Sequence, residues 1–234
     1  MTYGNLFKFI RGTVRLLYPK YEASLQKYEK EPIVYVSHHQ NFFGPFVIML
    51  WLPIPVRIWV FHVFFHKHTG YEQLVGYTFT KRFGLKPWLA KWLSYPLAAA
   101  FSAFYQSARA VPVYRQSKKI VLTFKESVQA LKNGERLLIF PDINYADDSS
   151  GTKDLYNGYL FIEKYYYKAT GKHVHFIPLY VSKDRKTITE GKTIQFRDDT
   201  DFKEEQLVVN DEIMKALNRL AFEQGDLKEQ TDPA

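Results

Sequence analysis

The chain has 234 residues, no cysteine and a formal net charge of +8. The length suits a single domain, in which we expect an amphipathic lead-in over residues 1–30, an α/β core over 31–200 and a C-terminal helix and tail over 201–234. The lack of cysteine excludes disulfides, thiolate nucleophiles and thiolate metal sites, which fits a reducing compartment. The N-terminal residues contain no uninterrupted apolar run and no small-residue cleavage site, so we predict no signal peptide.

The positive charge is concentrated in the N-terminal half. Residues 1–120 contain 16 Lys and Arg against four Asp and Glu, whereas residues 121–234 contain 16 against 20. A basic surface attracts nucleic acid, anionic lipid headgroups or a phosphorylated small molecule. Here the basic residues are interleaved with long apolar and aromatic runs, which favours a membrane surface; a nucleic-acid-binding module is the alternative.

The first third of the chain predicts three elements. Residues 3–17 place apolar side chains at helical spacing among basic ones, which fits an interfacial anchor on a bilayer and an ordinary packed helix equally well. Residues 33–36 are apolar and β-branched, which indicates a strand buried on both faces. Residues 42–65 carry Arg57 as their one charge, but three prolines interrupt them, so we predict a buried helix and a strand instead of a transmembrane span.

Two further patterns precede the middle of the chain. His62 and His66 are four residues apart and would share a helical face that can hold zinc, but no carboxylate accompanies them, so surface or packing histidines are favoured over a zinc hydrolase. Tryptophan and tyrosine lie beside lysine over residues 79–106, which is typical of an interfacial membrane contact. A core helix with a solvated basic face is the alternative interpretation.

The rest of the chain alternates strand and helix patterns, and the tail after residue 222 is expected to fray. The predicted strands cover residues 110–114, 136–140 and 174–181, the helices cover 117–132, 155–169 and 202–222, and a peripheral hairpin covers 187–196. This alternation predicts an α/β fold with a central, mostly parallel or mixed sheet flanked by helices.

Four short motifs in this order resemble those of the glycerolipid acyltransferase superfamily, the group that includes lysophosphatidic acid acyltransferases. Residues 38–45, HHQNFFGP, resemble the family's His-x4-Asp block with His39 at the catalytic position. Residues 111–115 resemble its strand ending in arginine. Residues 140–145, FPDINY, are similar to Phe-Pro-Glu-Gly-Thr-Arg, and residues 176–179 resemble its hydrophobic strand with a central proline.

The sequence departs from this pattern at three positions. Gly44 stands where the family has its aspartate. In the motif similar to Phe-Pro-Glu-Gly-Thr-Arg, Asp142 replaces the glutamate and Tyr145 replaces the arginine. An aspartate behind the imidazole fixes its tautomer, so another carboxylate must orient His39. We expect Asp142 in this role, with Asp147 or Asp148 behind it, because the strand that precedes Asp142 should neighbour the histidine strand.

The resemblance implies an O-acyltransferase of phospholipid biosynthesis. Its histidine would remove a proton from a lysophospholipid or glycerol-phosphate-type acceptor, which then attacks an acyl thioester carried by coenzyme A or acyl carrier protein, with no other cofactor. It implies a peripheral protein on the cytoplasmic face of a membrane. A catalytically inactive, lipid-binding relative is the alternative. The implied catalytic residues are His39, Asp142 and His38, and the implied substrate-binding residues are Asn41, Gly44, Arg115, Lys118, Lys119, Pro141 and Tyr145.

The charged residues that could bind phosphate or a metal ion also have other interpretations. Arg109 or Lys153 would add to the phosphate contacts, although the basic residues after residue 114 also fit a helix start that faces solvent or headgroups. The acidic residues of the FPDINY motif and of the loop after it could bind a divalent cation, but a solvated loop is the commoner outcome and we expect no metal. The acidic residues in question are Asp142, Asp147, Asp148 and Asp154.

Overall fold

The computed structural model of the chain describes residues 2–26, 28 and 31–227. The predicted fraying of the tail falls mostly on residues 228–234, which lie outside the described residues. The chain divides into two compact units, the first formed by Met1–Thr13 and Arg57–Glu126 and the second by Val14–Val56 and Ser127–Ala234. The single acyltransferase-like domain with its internal boundaries stays a prediction.

The described elements alternate between strands and helices. The strands are β1 (Glu22–Ser24), β2 (Ile33–Ser37), β3 (Val56–Phe61), β4 (Val111–Val113), β5 (Arg136–Ile139), β6 (His175–Ser182) and β7 (Thr187–Glu190). The α-helices are α1 (Asn5–Leu17), α2 (Phe43–Trp51), α3 (Lys67–Gln73), α4 (Pro87–Ser107), α5 (Ile120–Lys132), α6 (Phe161–Thr170) and α7 (Phe202–Glu223). A π-helix covers Leu74–Arg82, and short 3-10 helices cover His62–Phe65 and Asn157–Leu160.

The second unit is built on a mixed sheet in the order β1-β7-β6-β2-β5. Strand β2 pairs in parallel with β5 and β6, while β7 runs antiparallel to β6. All five residues of β2 are buried, as expected for a central parallel strand covered on both faces. The predicted α/β class, a mixed sheet flanked by helices with an amphipathic N-terminal helix, is confirmed.

The predicted elements differ from the structure in three details. Strand β1 was not predicted, because three polar or small residues at a sheet edge carry no apolar pattern. Residues 187–196 do not form a hairpin of their own, since β7 turns back onto β6 instead. The helix predicted from residue 155 begins with a 3-10 turn, and its α-helical part starts six residues later.

The first unit packs its helices through small side chains. One face of α4 buries Ala90, Ser94, Ala98 and Ser102, and a Cβ at Gly70 of α3 would lie 3.6 Å from the Cβ of Ala98. This close approach lets α4 turn its bulky side chains outwards. None of the described helices has both the length and the hydrophobicity that crossing a bilayer requires.

Helix α1 is attached to the first unit by its N-terminal turns. The ring of Phe7 is buried 5.3 Å from the ring of Phe104, and the backbone N–H of Gly4 donates to the carbonyl of Ser107 at 2.8 Å. Its opposite side leaves Leu6 and Phe9 exposed. The helix therefore packs by one apolar face and presents a second one, so the role of an interfacial anchor stays a prediction.

A carboxylate–imidazole–carboxylate cluster in the second unit ties α6 to the start of β6. The Nδ1 of His173 lies 2.7 Å from Oε1 of buried Glu163, and its Nε2 lies 2.9 Å from Oδ1 of Asp198. Burial lowers the pKa of His173, but the hydrogen bonds to Asp198 and Glu163 outweigh it, so the pKa is raised. Burial also raises the pKa of Glu163 against the hydrogen bonds from Val174 and His173. Both shifts mean that the folded chain holds more protons here than the unfolded chain does.

Replacing His173 with Asn should remove a pH-dependent part of the stability. The contribution of a histidine with a raised folded pKa is fully present below about pH 6.5 and is lost as the pH rises through the folded value. We expect His173→Asn to lower the free energy of unfolding by about 1–2 kcal/mol at pH 6 and by less at pH 9. Urea unfolding across this range tests it, with His68→Asn, which alters an exposed histidine, as the control. An equal loss at both pH values would contradict the assignment.

Candidate functional site

A histidine and an aspartate meet at the carboxyl edge of the sheet in the second unit. Strands β2 and β5 are parallel neighbours, and the residues that follow them therefore emerge at the same edge. His38 follows β2, and Asp142 follows β5 after a Phe-Pro pair. The Nδ1 of His38 lies 2.5 Å from Oδ1 of Asp142, and the two residues are only 3% and 6% exposed.

The second carboxylate oxygen of Asp142 fixes the backbone beside this pair. Its Oδ2 accepts the backbone N–H of His39 at 2.8 Å. Asp142 thus orients the ring of His38 and holds the next residue by its main chain. The expectation that Asp142 orients the ring of His39 is corrected, because alternation along an extended backbone directs the two imidazoles to different sides.

The other ring nitrogen of His38 faces a backbone carbonyl. Its Nε2 lies 2.9 Å from the carbonyl oxygen of Ser149. A carbonyl accepts hydrogen bonds and has no proton to donate, so Nε2 is the donor and carries a proton. Both ring nitrogens of His38 are therefore engaged by the protein.

His39 lies among aromatic rings. The centroid of its half-buried imidazole is 5.4 Å from that of Phe140, 6.0 Å from that of Phe42 and 6.2 Å from that of Tyr145. Tyr145 therefore contributes an aromatic ring beside His39. The structure brings this expected substrate-binding residue close to the first motif, while its role stays a prediction.

A tight turn connects the histidines to α2. Gln40 and Asn41 both adopt left-handed backbone conformations, with φ of 43° and 59°. The turn brings Gly44 against the preceding chain so closely that a Cβ there would lie 2.3 Å from the carbonyl oxygen of His38. This contact explains why residue 44 is a glycine, since the backbone leaves no room for a side chain.

The loop over residues 143–152 closes one side of the site. Its ends are brought together by a bridge between Asp142 and Leu155 and by the carbonyl of Pro141, which accepts the N–H of Tyr156 at 2.8 Å. Below it lies a pocket of about 190 Å³. The pocket is lined by His38, Asp142, Ile143, Asn144, Asp147, Lys153 and Asp154.

Charges in this pocket are partly paired. Asp147 accepts a hydrogen bond from Nζ of Lys153 at 2.8 Å, and this contact, with further hydrogen bonds from Ser149, lowers the pKa of Asp147. Lys153, a candidate phosphate ligand, is therefore bound to a carboxylate. Within the described residues, no group of three His, Asp or Glu side chains is arranged to hold a metal ion.

The remaining basic candidates belong to the first unit. Arg115, Lys118 and Lys119 are exposed in the turn between β4 and α5. Arg109 precedes β4 with a left-handed φ of 55°, and its carbonyl accepts a hydrogen bond from Arg57 at 2.8 Å. The three exposed cations form one basic turn of that unit, and their contact with a substrate stays a prediction.

Sequence reasoning missed Ser149, whose backbone carbonyl meets His38. No motif could have indicated it, because a carbonyl group is common to every residue and depends only on the path of the loop. The polar composition of residues 143–152 indicated a loop but not its direction.

The comparisons with known proteins concern the fold. No family model and no curated protein matches the chain. Among solved structures, the chain is similar to the 1-acyl-sn-glycerophosphate (LPA) acyltransferase PlsC of Thermotoga maritima, with a TM-score of 0.52 and 13% identity over 92% of this chain and 79% of that one. The chain shares the fold of that acyltransferase.

The close approach at Gly44 predicts a large effect of a single methyl group. Gly44→Ala should destabilise the chain by about 1–3 kcal/mol, because the backbone after β2 must shift to relieve the contact. Gly12→Ala is the matched control, since a Cβ at this position of α1 meets nothing within 4 Å. It should be neutral or stabilising by up to about 1 kcal/mol. Similar denaturation midpoints for Gly44→Ala and wild type would show that the turn is not tight.

Proposed function

We propose that the chain is an O-acyltransferase in which His38, oriented by Asp142, acts as general base. The main support for this proposal is the buried His38–Asp142 pair at the carboxyl edge of parallel strands, where α/β proteins bind ligands. The fold shared with an acyltransferase supports the reaction class. This proposal moves the base from His39 to its neighbour.

The reaction transfers an acyl group from sulfur to oxygen. When the Ser149 carbonyl leaves Nε2 of His38, this nitrogen releases its proton to water. It then accepts the proton of an acceptor hydroxyl as the oxygen attacks the thioester carbonyl. The carbon–sulfur bond then breaks, and the proton passes from the imidazolium to the leaving thiolate. Asp142 would stabilise the imidazolium and keep Nδ1 turned towards itself. The products are an ester and a free thiol, and no other cofactor is needed.

The proposed acceptor is a lysophospholipid or a glycerol phosphate, and the proposed donor is acyl-coenzyme A or acyl carrier protein. The Thermotoga protein is named for 1-acyl-sn-glycerophosphate, which is an acceptor of this class. Arg115, Lys118 and Lys119 expose positive charge on the first unit, and in this proposal that charge attracts lipids that carry a phosphate.

A catalytically inactive lipid-binding protein is the second candidate. The observation in its favour is the Ser149 carbonyl on Nε2 of His38, which blocks the atom that has to accept the proton. In that case the imidazole would serve to hold the loop in place, and lipid would bind without turnover.

Substitution at the two histidines separates these functions. His38→Gln should lower ester formation by at least about 100-fold, and Asp142→Asn by up to about 10⁴-fold, because they remove the base or its orienting group. The assay follows thiol release and ester mass with acyl-coenzyme A or acyl carrier protein and a panel of lysophospholipids and glycerol phosphate.

His39→Gln is the matched control, and we expect it to retain activity within about tenfold. Thermal unfolding of each variant shows whether it folds. A His39→Gln variant without activity beside an active His38→Gln would return the base to His39. Lipid binding by wild type with no turnover of any donor would favour the inactive relative.

We further propose that the first unit contacts the cytoplasmic face of an anionic membrane as a peripheral protein. Trp88, Trp92 and Tyr95 are 68%, 72% and 79% exposed, and their spacing places them on one face of α4. Amphipathic rings of this kind settle at headgroup depth. The same unit contains 13 Lys and Arg against two Asp and Glu, whereas the second contains 19 against 22. This charge favours anionic lipid.

Removing the exposed indoles should weaken membrane binding. Trp88→Ser with Trp92→Ser should lower the partition coefficient to vesicles of anionic phosphatidylglycerol by at least about tenfold, with little change in stability, because both rings face outwards. Leu207→Ser, at an exposed apolar position of α7 in the second unit, is the control. Vesicle sedimentation measures the effect. Equal binding by both variants, or tighter binding to duplex RNA or DNA than to the vesicles, would contradict the membrane proposal.

A further inference from the structure

We propose that residues 143–152 form a latch that holds His38 in a resting state and must withdraw from it before an acceptor binds. The inference rests on the proposed role of His38 as base. It assigns a gating function to a loop whose backbone carbonyl, at Ser149, caps the ring nitrogen.

The Ser149 carbonyl caps the ring nitrogen of His38 at the position that an acceptor needs. A hydroxyl group that gives its proton to a base must come within about 2.6–3.2 Å of it. The carbonyl oxygen of Ser149 lies 2.9 Å from Nε2 of His38 and therefore occupies the position that this hydroxyl needs. The opposite nitrogen is held by Asp142, so the ring offers no second site.

Hydrogen bonds of Asp147 hold the latch in shape around Ser149. The side chain of Asp147 accepts the backbone N–H of Ser149 at 2.9 Å and is anchored by Nζ of Lys153 at 2.8 Å. The backbone carbonyl of Asp147 accepts the N–H of Asn41 at 2.7 Å. The latch is therefore tied to the turn that carries the histidines, and it is shaped internally by one carboxylate.

Two side chains attach the latch to the rest of the second unit. Asn218 of α7 makes two hydrogen bonds to the backbone of Thr152, accepting its N–H at 2.7 Å and donating to its carbonyl at 2.9 Å. Nζ of Lys183, just after β6, donates to the carbonyl of Asp148 at 3.1 Å. The hydrogen bonds of both side chains go to the latch backbone, so they can be removed without changing the latch sequence.

The composition of the latch fits a segment that opens. Between the buried Asp142 and the buried Thr152, each residue is exposed or half-buried, and Ile143 carries the one large aliphatic side chain. Segments with few buried apolar contacts open at low free-energy cost compared with the core. The hydrogen bonds to the latch therefore stabilise its closed state but still allow it to open.

A closed resting state would protect the acyl donor. A free base beside a thioester activates water as readily as an alcohol, and water exclusion is a general means of suppressing this hydrolysis. With the latch closed, His38 cannot activate water. Binding of the acceptor in place of the Ser149 carbonyl would uncover the base only when the second substrate is present.

The test measures the reactivity of the His38 ring in the full chain, independently of turnover. Diethylpyrocarbonate acylates unprotonated, accessible imidazole nitrogens, and mass spectrometry of peptides resolves each histidine. In wild type, His38 should react at least about tenfold more slowly than His68, which is 84% exposed. Asn218→Ala and Lys183→Met, singly and together, should raise the rate at His38 severalfold and leave His68 unchanged.

Matched substitutions outside the latch control for general loosening. Asn133→Ala and Lys172→Met remove the same side-chain types at positions that bind no latch residue in the structure, and they should leave the rate at His38 unaltered. The latch variants should also raise donor hydrolysis relative to acyl transfer. Unchanged reactivity of His38 in the folded latch variants, or wild-type reactivity equal to that of His68, would overturn the latch. Latch opening without any transferase activity would instead overturn the proposed function and with it the gating role, while the closed contact of the latch with His38 would stand.

Discussion

The site depends on one carboxylate that makes two contacts. Asp142 is buried after β5, and its two oxygens meet the ring of His38 and the backbone of His39. A buried carboxylate is costly unless hydrogen bonds satisfy it. Here both partners come from the residues that follow β2, and they reach Asp142 because β2 and β5 are parallel neighbours. The turn that brings Gly44 against the His38 carbonyl excludes a side chain there, and Asp142 supplies the carboxylate from the adjacent strand.

The sequence predicted the fold better than it predicted the contacts within the site. Periodicity located β2, β5 and β6 and the main helices, since burial on both faces leaves a continuous apolar run. It also placed Asp142 beside the histidine strand. The sequence could not decide which of the two imidazoles Asp142 orients, because an HH pair at a strand end fits either ring. The resemblance to the family motif favoured His39. The carbonyl of Ser149 carries no side-chain signal, and β1 is too short and polar to show a strand pattern.

The distribution of charge and aromatic exposure divides the proposed work between the two units. The second unit holds the His38–Asp142 pair and is slightly acidic, while the first is strongly basic and carries the exposed indoles of α4. A chain that takes its acceptor from a membrane needs both a surface for anionic lipid and a protected base. Burial of His38 beneath residues 143–152 gives that protection. A base that is capped at rest also reconciles the two candidate functions, since an inactive lipid-binding protein and an enzyme in its resting state would present the same hydrogen bonds.

The most direct test of the account is the proton NMR signal of the imidazole N–H groups in uniformly 15N-histidine-labelled protein. Proton exchange with water is slow for a buried, hydrogen-bonded ring N–H, so His38 should give a resolved downfield resonance, whereas exposed histidines should not. The account predicts that this resonance disappears in His38→Gln, shifts in Asp142→Asn and persists in His39→Gln. A resonance that is lost in His39→Gln and retained in His38→Gln would contradict it, because Asp142 would then be holding the other ring.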